Sequence, residues 1–88
     1  MANHASAAKR NRQRIKREAR NKSIRSSLKT VLKRARAAIA SGEVDTAKDT
    51  VATASRALSR AVTQGVLHKN NAARTTSRIQ SQLARIAK

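Results

Sequence analysis

Apolar residues in this chain recur every three or four positions, in three separate runs. The first run comprises Ile24, Leu28, Val31, Leu32, Ala35, Ala38 and Ile39. The second comprises Ala47, Val51, Ala54, Leu58, Ala61 and Val62, and the third comprises Ala72, Thr76, Ile79, Leu83 and Ile86. This period places each run on one face of a helix, and the two-residue alternation typical of strands is absent. The pattern therefore predicts three amphipathic helices.

Two glycines separate the three runs. Gly42 and Gly65 are the only glycines, and each suits the left-handed position that follows a helix C-terminus. His68 or Asn70 can cap the third helix. The connections are short, so we predict an all-α fold, an antiparallel three-helix bundle with a long first helix. The prediction for the single domain, residues 1–88, is a tail over 1–6 with Ser6 as N-cap, a long helix over 7–40, a second helix over 43–64 and a third over 69–87.

The N-terminal half of the first helix has almost nothing to bury, since Ile15 is its only large apolar residue. A helix over 7–40 is about 50 Å long, whereas a compact domain of this size is only about 30 Å across. Residues 7–21 should therefore project as an arm. Like charges four residues apart, such as Arg10–Arg14, oppose helix formation by a few tenths of a kcal/mol each. We expect the arm to fray when free and to become helical on its partner.

Charge is concentrated in the same part of the chain. Residues 9–36 hold thirteen of the 21 basic residues and one acid, Glu18, and so carry +12 of the net +17. A surface kept for solubility mixes both signs, so this excess indicates a polyanionic partner, above all nucleic acid. The 88-residue chain has no Phe, Tyr or Trp. This excludes the modules that stack bases on aromatic rings and leaves contacts to phosphate, sugar and groove shape.

The arm's basic residues surround most of the rod, which favours insertion between several nucleic-acid segments over binding to one surface. A second candidate patch follows Gly65 and places basic and amide side chains at the start of the third helix, where N–H groups favour phosphate. A capped turn with a solvated basic face explains this patch equally well, and for His68 alone capping or packing is a better explanation than a ligand role.

Other functions find little support in the sequence. No apolar run approaches the roughly 20 residues that a membrane span needs, and the N-terminus lacks the apolar segment of a signal peptide. The chain has no cysteine and four acids, and no catalytic triad, phosphate loop or metal-ligand spacing is present. We therefore expect no enzymatic activity, no metal site, no cofactor, no membrane, no small-molecule substrate and no homo-oligomer.

At the level of motifs, the chain resembles the bacterial small-subunit ribosomal protein S-twenty family nearly end to end. The most specific run is the segment from Gly65 to Asn70, followed by Ala72-Ala73-Arg74 and Ser77-Arg78. Further matching motifs are Met1-Ala2-Asn3, Ser6-Ala7 with Lys9-Arg10, Asn21, Arg25-Ser26, Lys29-Thr30 and Ala38-Ile39 before Gly42. Gln64 and Thr76 depart from the pattern, since the family often has Lys at both positions.

The resemblance implies a structural, non-catalytic protein of the cytoplasmic small ribosomal subunit. It implies direct binding to 16S ribosomal RNA, including its 5′ domain, contacts with other small-subunit components and an early role in assembly. Together with the arm, it gives the candidate RNA-binding residues Lys9, Arg10, Arg12, Arg14, Lys16, Arg17, Arg20, Asn21, Lys22, Arg25, Lys29, His68, Lys69, Asn70, Arg74, Ser77 and Arg78. The composition alone also permits a DNA-compacting protein of the nucleoid type.

Overall fold

The computed structural model describes residues 2–87, with side chains from residue 4 onward, and consists of three helices without a strand in that range. The helices are α1 (Ala2–Ser41), α2 (Val44–Thr63) and α3 (Lys69–Ala87). Leu28 packs with Leu58 and Ala72, while Ala35 packs with Val51 and Ile79, so α2 runs antiparallel to both other helices. The predicted all-α bundle with a long first helix is confirmed.

The first helix begins earlier than the sequence predicted. Residues 2–6, predicted as a tail, belong to α1, and Ser6 lies inside the helix rather than capping it. Met1 lies outside the described residues. The segment is rich in Ala and contains neither Gly nor Pro, so nothing in it stops a helix. α1 therefore begins at Ala2 in the structure, whereas the sequence prediction placed its start at residue 7.

Both connections turn on a glycine in the left-handed region. Gly42 has φ 77° and Gly65 has φ 76°. At the end of α2, the Gly65 N–H donates to the Val62 carbonyl and the Val66 N–H to the Ala61 carbonyl, each at 3.0 Å. This pair of bonds is a Schellman motif, which satisfies the last carbonyls of a helix. The turn directs Leu67 back against the core, as the apolar connection predicted.

The core is thin and centred on α2. That helix supplies five of the nine buried apolar residues, and five of the nine are alanines. The buried residues are Leu28, Ala35, Ala47, Val51, Ala54, Leu58, Ala61, Ala72 and Ile79. α2 contacts both other helices extensively, whereas α1 and α3 contact each other little. The bundle is therefore open on the side where α1 and α3 are neighbours.

The molecule is elongated because α1 is about twice as long as α2 or α3. Its principal extents are 67, 20 and 13 Å, and its Cα radius of gyration is 17.7 Å. A compact chain of this length has a radius of gyration of about 12 Å. Every side chain from His4 to Arg20 is exposed, so the arm (residues 7–21) projects beyond the ends of α2 and α3.

Candidate nucleic-acid interface

The arm presents its cations with little tertiary cover. Its seven basic side chains are all exposed: Lys9, Arg10, Arg12, Arg14, Lys16, Arg17 and Arg20. With about 100° between successive residues, they spread over an arc of roughly 200° around the helix axis. The remaining arc holds Ala8, Asn11, Ile15, Glu18 and Ala19. The cations thus cover somewhat more than half of the rod, less than the sequence prediction of most of it, and still point to opposite sides.

The arm's inward face is the continuation of the core face of α1. Positions 10, 14 and 17 follow the helical period of Ile24 and Leu28, which pack in the bundle. Along the bundle this face carries apolar residues. Beyond the ends of α2 and α3 it carries arginines instead. Cations on this face therefore lie beyond the end of the bundle, exposed to solvent.

Intramolecular pairing neutralises little of this charge. Among the described residues the only ion pair joins Arg14 Nε to Glu18 Oε1 at 3.9 Å, with both side chains about two-thirds exposed. Such a pair contributes little to stability. Arg14 also donates to Asn11 Oδ1 at 3.1 Å. The arm therefore offers nearly its whole formal charge to a partner.

One hydrogen bond joins the base of the arm to the rest of the bundle. The Arg20 guanidinium donates to the Gln64 carbonyl oxygen at 3.3 Å. Gln64 is the C-cap of α2, where the helix dipole is negative and a cation is favourable. The contact places the turn between α2 and α3 beside the arm, so the two candidate regions of the sequence meet at one end of the bundle.

His68 caps α3, which is one of the roles that the sequence left open for it. Its Nδ1 accepts a hydrogen bond from the Asn70 N–H at 3.1 Å, and its carbonyl accepts from the Ala72 N–H at 3.1 Å. Nδ1 is thereby occupied within the protein. Lys69 and Asn70 are exposed in the first turn of α3, at the arm end of the bundle. The cap fixes the backbone position of these two residues at the start of α3.

The other candidate residues lie farther along the bundle. Asn21 is half-buried at the base of the arm, whereas Lys22, Arg25 and Lys29 are exposed on the part of α1 that packs. On α3, three exposed candidates lie on the side turned away from the core: Arg74, Ser77 and Arg78. The candidates therefore extend from the tip of the arm to the middle of the bundle, and no single pocket collects them.

Three basic residues outside the predicted set align with it. Lys33 and Arg36 continue the row of Lys22, Arg25 and Lys29 along α1, and Arg85 continues the row of Arg74 and Arg78 along α3. All three are exposed. Spacings of three and four residues in the sequence already placed them on these faces. The sequence prediction omitted them because it followed motifs at these positions rather than helix faces.

Features of other kinds of site are missing from residues 2–87. No helix there combines the length and apolar character of a membrane crossing. In the same range, no three His, Cys, Asp or Glu side chains come together in a way that would hold a metal ion. The surface grooves are shallow and lie between helices. The exposed cations are thus the main chemical feature of the described surface.

Comparison with known proteins agrees with this geometry. The model of the family described as "Ribosomal protein S20" matches residues 2–84. The chain belongs to the ribosomal protein S20 family. A relative from Anaeromyxobacter sp. (strain Fw109-5), "Small ribosomal subunit protein bS20", is 48% identical over 87 residues, covering 99% of this chain and 97% of the relative.

Two further relatives carry the same name. The one from Streptomyces griseus is 46% identical over 84 residues and covers 96% of each chain. The one from Bordetella avium is 42% identical over 87 residues, covering 99% of this chain and 100% of the relative. The similarity spans the arm and all three helices. The resemblance indicated by the sequence motifs is confirmed, and the family is one of ribosomal proteins rather than enzymes.

Proposed function

We propose that this chain is a structural constituent of the cytoplasmic small ribosomal subunit, where it binds 16S ribosomal RNA directly and supports assembly. The observation that carries the proposal is the arm, a helix with seven exposed cations and little tertiary cover. Membership of the S20 family and the name of its relatives support the ribosomal setting. The arm lies between RNA segments, where it reduces the repulsion between their phosphates, and the bundle docks beside them.

RNA contacts fall to the residues at the arm and at the adjoining end of α3. Phosphates are bound by the arm's cations, by Lys22, Arg25 and Lys29, and by Lys69, Arg74 and Arg78. Asn21, Asn70 and Ser77 supply hydrogen bonds to sugar or phosphate, and His68 contributes through the cap that it forms with Asn70. With roughly 6–10 phosphate contacts, affinity falls about 10³–10⁵-fold between 50 and 200 mM salt.

The protein works as a single copy beside RNA and other small-subunit components, without a small-molecule substrate. Its surface supports this. Ile15, 54% exposed, is the one large apolar side chain exposed among the described residues. A stable contact between copies needs an extended apolar patch, which a single isoleucine does not provide.

Competition between RNA and DNA tests the proposal. The full chain is bound to a folded 5′-domain fragment of 16S ribosomal RNA at near-physiological salt, and excess duplex DNA is added. Binding that survives the DNA indicates a shaped RNA site, as we expect. Binding that the DNA removes in proportion to its phosphate would overturn the ribosomal function and favour DNA compaction.

A further inference from the structure

The seven cations of the arm form two rows along the helix. Within a row, neighbouring residues are three or four positions apart, so they lie on one side of the rod at about 5–6 Å from each other. With about 100° per residue, the mean directions of the two rows differ by about 120°. The first row comprises Lys9, Arg12, Lys16 and Arg20, and the second row comprises Arg10, Arg14 and Arg17.

Both rows point into space that the bundle fills farther along α1. The second row has the direction of Ile24 and Leu28, which pack in the core. The first row has the direction of Ser23 and Ser27, which line the groove beside α2. Along the arm the side chains in these directions are exposed. Each row therefore has room beside it for a ligand about as thick as a helix.

The two rows are too far apart for one strand to cover both. A helix with its side chains is about 10–12 Å in diameter, so two rows 120° apart hold their charges about 10 Å from each other. A backbone that follows one row leaves the other row facing a different direction. The arm can therefore bind two backbones at once.

Neither row is neutralised within the protein. The second row has one ion pair, Arg14 with Glu18 at 3.9 Å, and it is exposed. In the first row, Arg20 donates to an uncharged partner, the Gln64 carbonyl. Cations four positions apart in a row, such as Arg10 and Arg14, repel each other, and phosphates bound along that row remove the repulsion. A strand bound to one row leaves the repulsion in the other row, which still attracts a second strand.

Contacts made by these rows leave the bases of a bound strand free. Proteins that keep nucleic acid single-stranded stack its bases on aromatic rings, and this chain has no Phe, Tyr or Trp. Contacts from Lys and Arg to phosphate position a strand without reading its sequence. Base edges of a strand on one row are therefore available to a complementary strand on the other row.

The paired state also binds the arm more tightly than separate strands do. A double helix carries twice the phosphate charge of a single strand of the same length, and affinity for a cationic protein rises with the number of phosphates that it neutralises. A ligand that prefers one of two states stabilises that state by mass action. The arm therefore favours pairing at equilibrium as well as at the encounter of two strands.

From these two rows we infer that the chain has a further activity, which is to promote the annealing of complementary RNA strands of any sequence. One strand binds along each row, the cations screen the repulsion between the two backbones, and the bases pair. The inference rests on the proposed function in taking RNA as the ligand of the arm, and it extends the action of the arm to RNA outside the 16S molecule.

Two triple variants with equal charge test the inference. The one-row variant, Arg10→Gln with Arg14→Gln and Arg17→Gln, removes the second row. The two-row variant, Arg12→Gln with Arg17→Gln and Arg20→Gln, leaves two cations in each row. Each variant loses three arginines and keeps two lysines and two arginines on the arm, so only the placement of charge differs. The replaced side chains are exposed, so both variants should keep the wild-type helicity of the bundle, which circular dichroism checks.

Annealing is followed by energy transfer between two labelled complementary RNA strands that are unrelated to 16S ribosomal RNA. We expect the wild type to raise the annealing rate constant about 10-fold or more, because electrostatic attraction raises association rates by about 10–10³-fold. The two-row variant should keep most of this acceleration, and the one-row variant should lose most of it. Aggregation of RNA by charge alone would act equally in both variants. Equal rates in the two variants, or no acceleration by the wild type, would overturn the inference.

Bridging of two backbones is measured separately with two labelled RNA duplexes that cannot pair with each other. Equimolar wild type and two-row variant should bring the duplexes close enough for energy transfer, and the one-row variant should not. Wild-type transfer from the one-row variant would show that two rows are not needed and would overturn the inference. Failed annealing with an intact preference for the 16S fragment over duplex DNA overturns this inference alone, whereas loss of that preference contradicts the proposed function.

Discussion

The two halves of α1 form one continuous helix but differ in the residues on their inward face. Along the bundle, the inward face carries Ile24, Leu28 and Ala35, which pack against α2 and α3. Along the arm, the same face carries Arg10, Arg14 and Arg17, all exposed. The difference shows that one helix can pack in a bundle at one end and expose its cations at the other, because the apolar stripe stops while the helix continues.

The charge patterns of the two halves differ as well. Cations on the arm point to opposite sides of the rod. Along the bundle, five of the six α1 cations lie within one arc of about 80°, and Arg34 alone lies on the other flank; the five are Lys22, Arg25, Lys29, Lys33 and Arg36. Where α1 packs, its core face turns towards α2 and α3, and only the directions away from the core stay exposed. We expect the arm to contact phosphates on several sides and the bundle to contact them on one.

Neutralising the arm should have the largest effect. A variant with Lys9→Gln, Arg10→Gln, Arg12→Gln and Arg14→Gln should lose about 10³-fold in RNA affinity at 0.1 M salt, since each phosphate contact contributes about −0.9 to the salt slope. Its thermal unfolding should match the wild type, because these side chains touch no core residue. A salt titration that returns the wild-type slope would mean that the arm is not the phosphate contact.

Two isoleucines separate packing from binding. Ile79 is 2% exposed in the bundle, whereas Ile15 is 54% exposed on the arm. Ile79→Ala should reduce the free energy of unfolding by about 2–5 kcal/mol through lost burial and a cavity. Ile15→Ala should change it by less than about 0.5 kcal/mol. Urea unfolding followed by circular dichroism measures both, and similar losses would mean that the arm packs in solution.

The contact at the base of the arm should have a smaller effect. Arg20→Ala removes the hydrogen bond to the Gln64 carbonyl and the cation at the C-terminus of α2. We expect a loss of less than about 1 kcal/mol in unfolding free energy, because the contact is exposed. Arg17→Ala is the control, an exposed arm arginine three positions before Arg20. A loss in Arg17→Ala as large as in Arg20→Ala would show that the Gln64 contact is not what matters.

The isolated arm should show the weakest signal. Residues 2–22 are helical within α1. In a peptide of residues 1–22, however, like charges and the absence of packing partners oppose helix formation. Its circular dichroism should show low helicity in buffer and a rise when RNA is added. Strong helicity without any polyanion would show that the arm is a stable helix by itself.

Much of the fold and part of the site follow from the sequence. The three- and four-residue spacing of apolar positions predicted the faces that pack, such as those of Leu28, Leu58 and Ile79. The glycine at position 65 predicted the left-handed turn. The start of α1 was missed because alanine allows a helix to continue without a core. Lys33, Arg36 and Arg85 are exposed on the same helix faces as candidate residues, and the sequence prediction did not include them because charge alone does not show which face of a helix is left open.

By itself the sequence determined three helices, their turns, the excess of positive charge and the family. Periodicity and glycine conformation act within a few residues, so they can be read along the chain. Only the tertiary structure decided that the turn before α3 meets the arm and that the arm's cations stay exposed beyond the ends of α2 and α3. These relations depend on which helix lies beside which, and that is decided by packing between residues far apart in the chain.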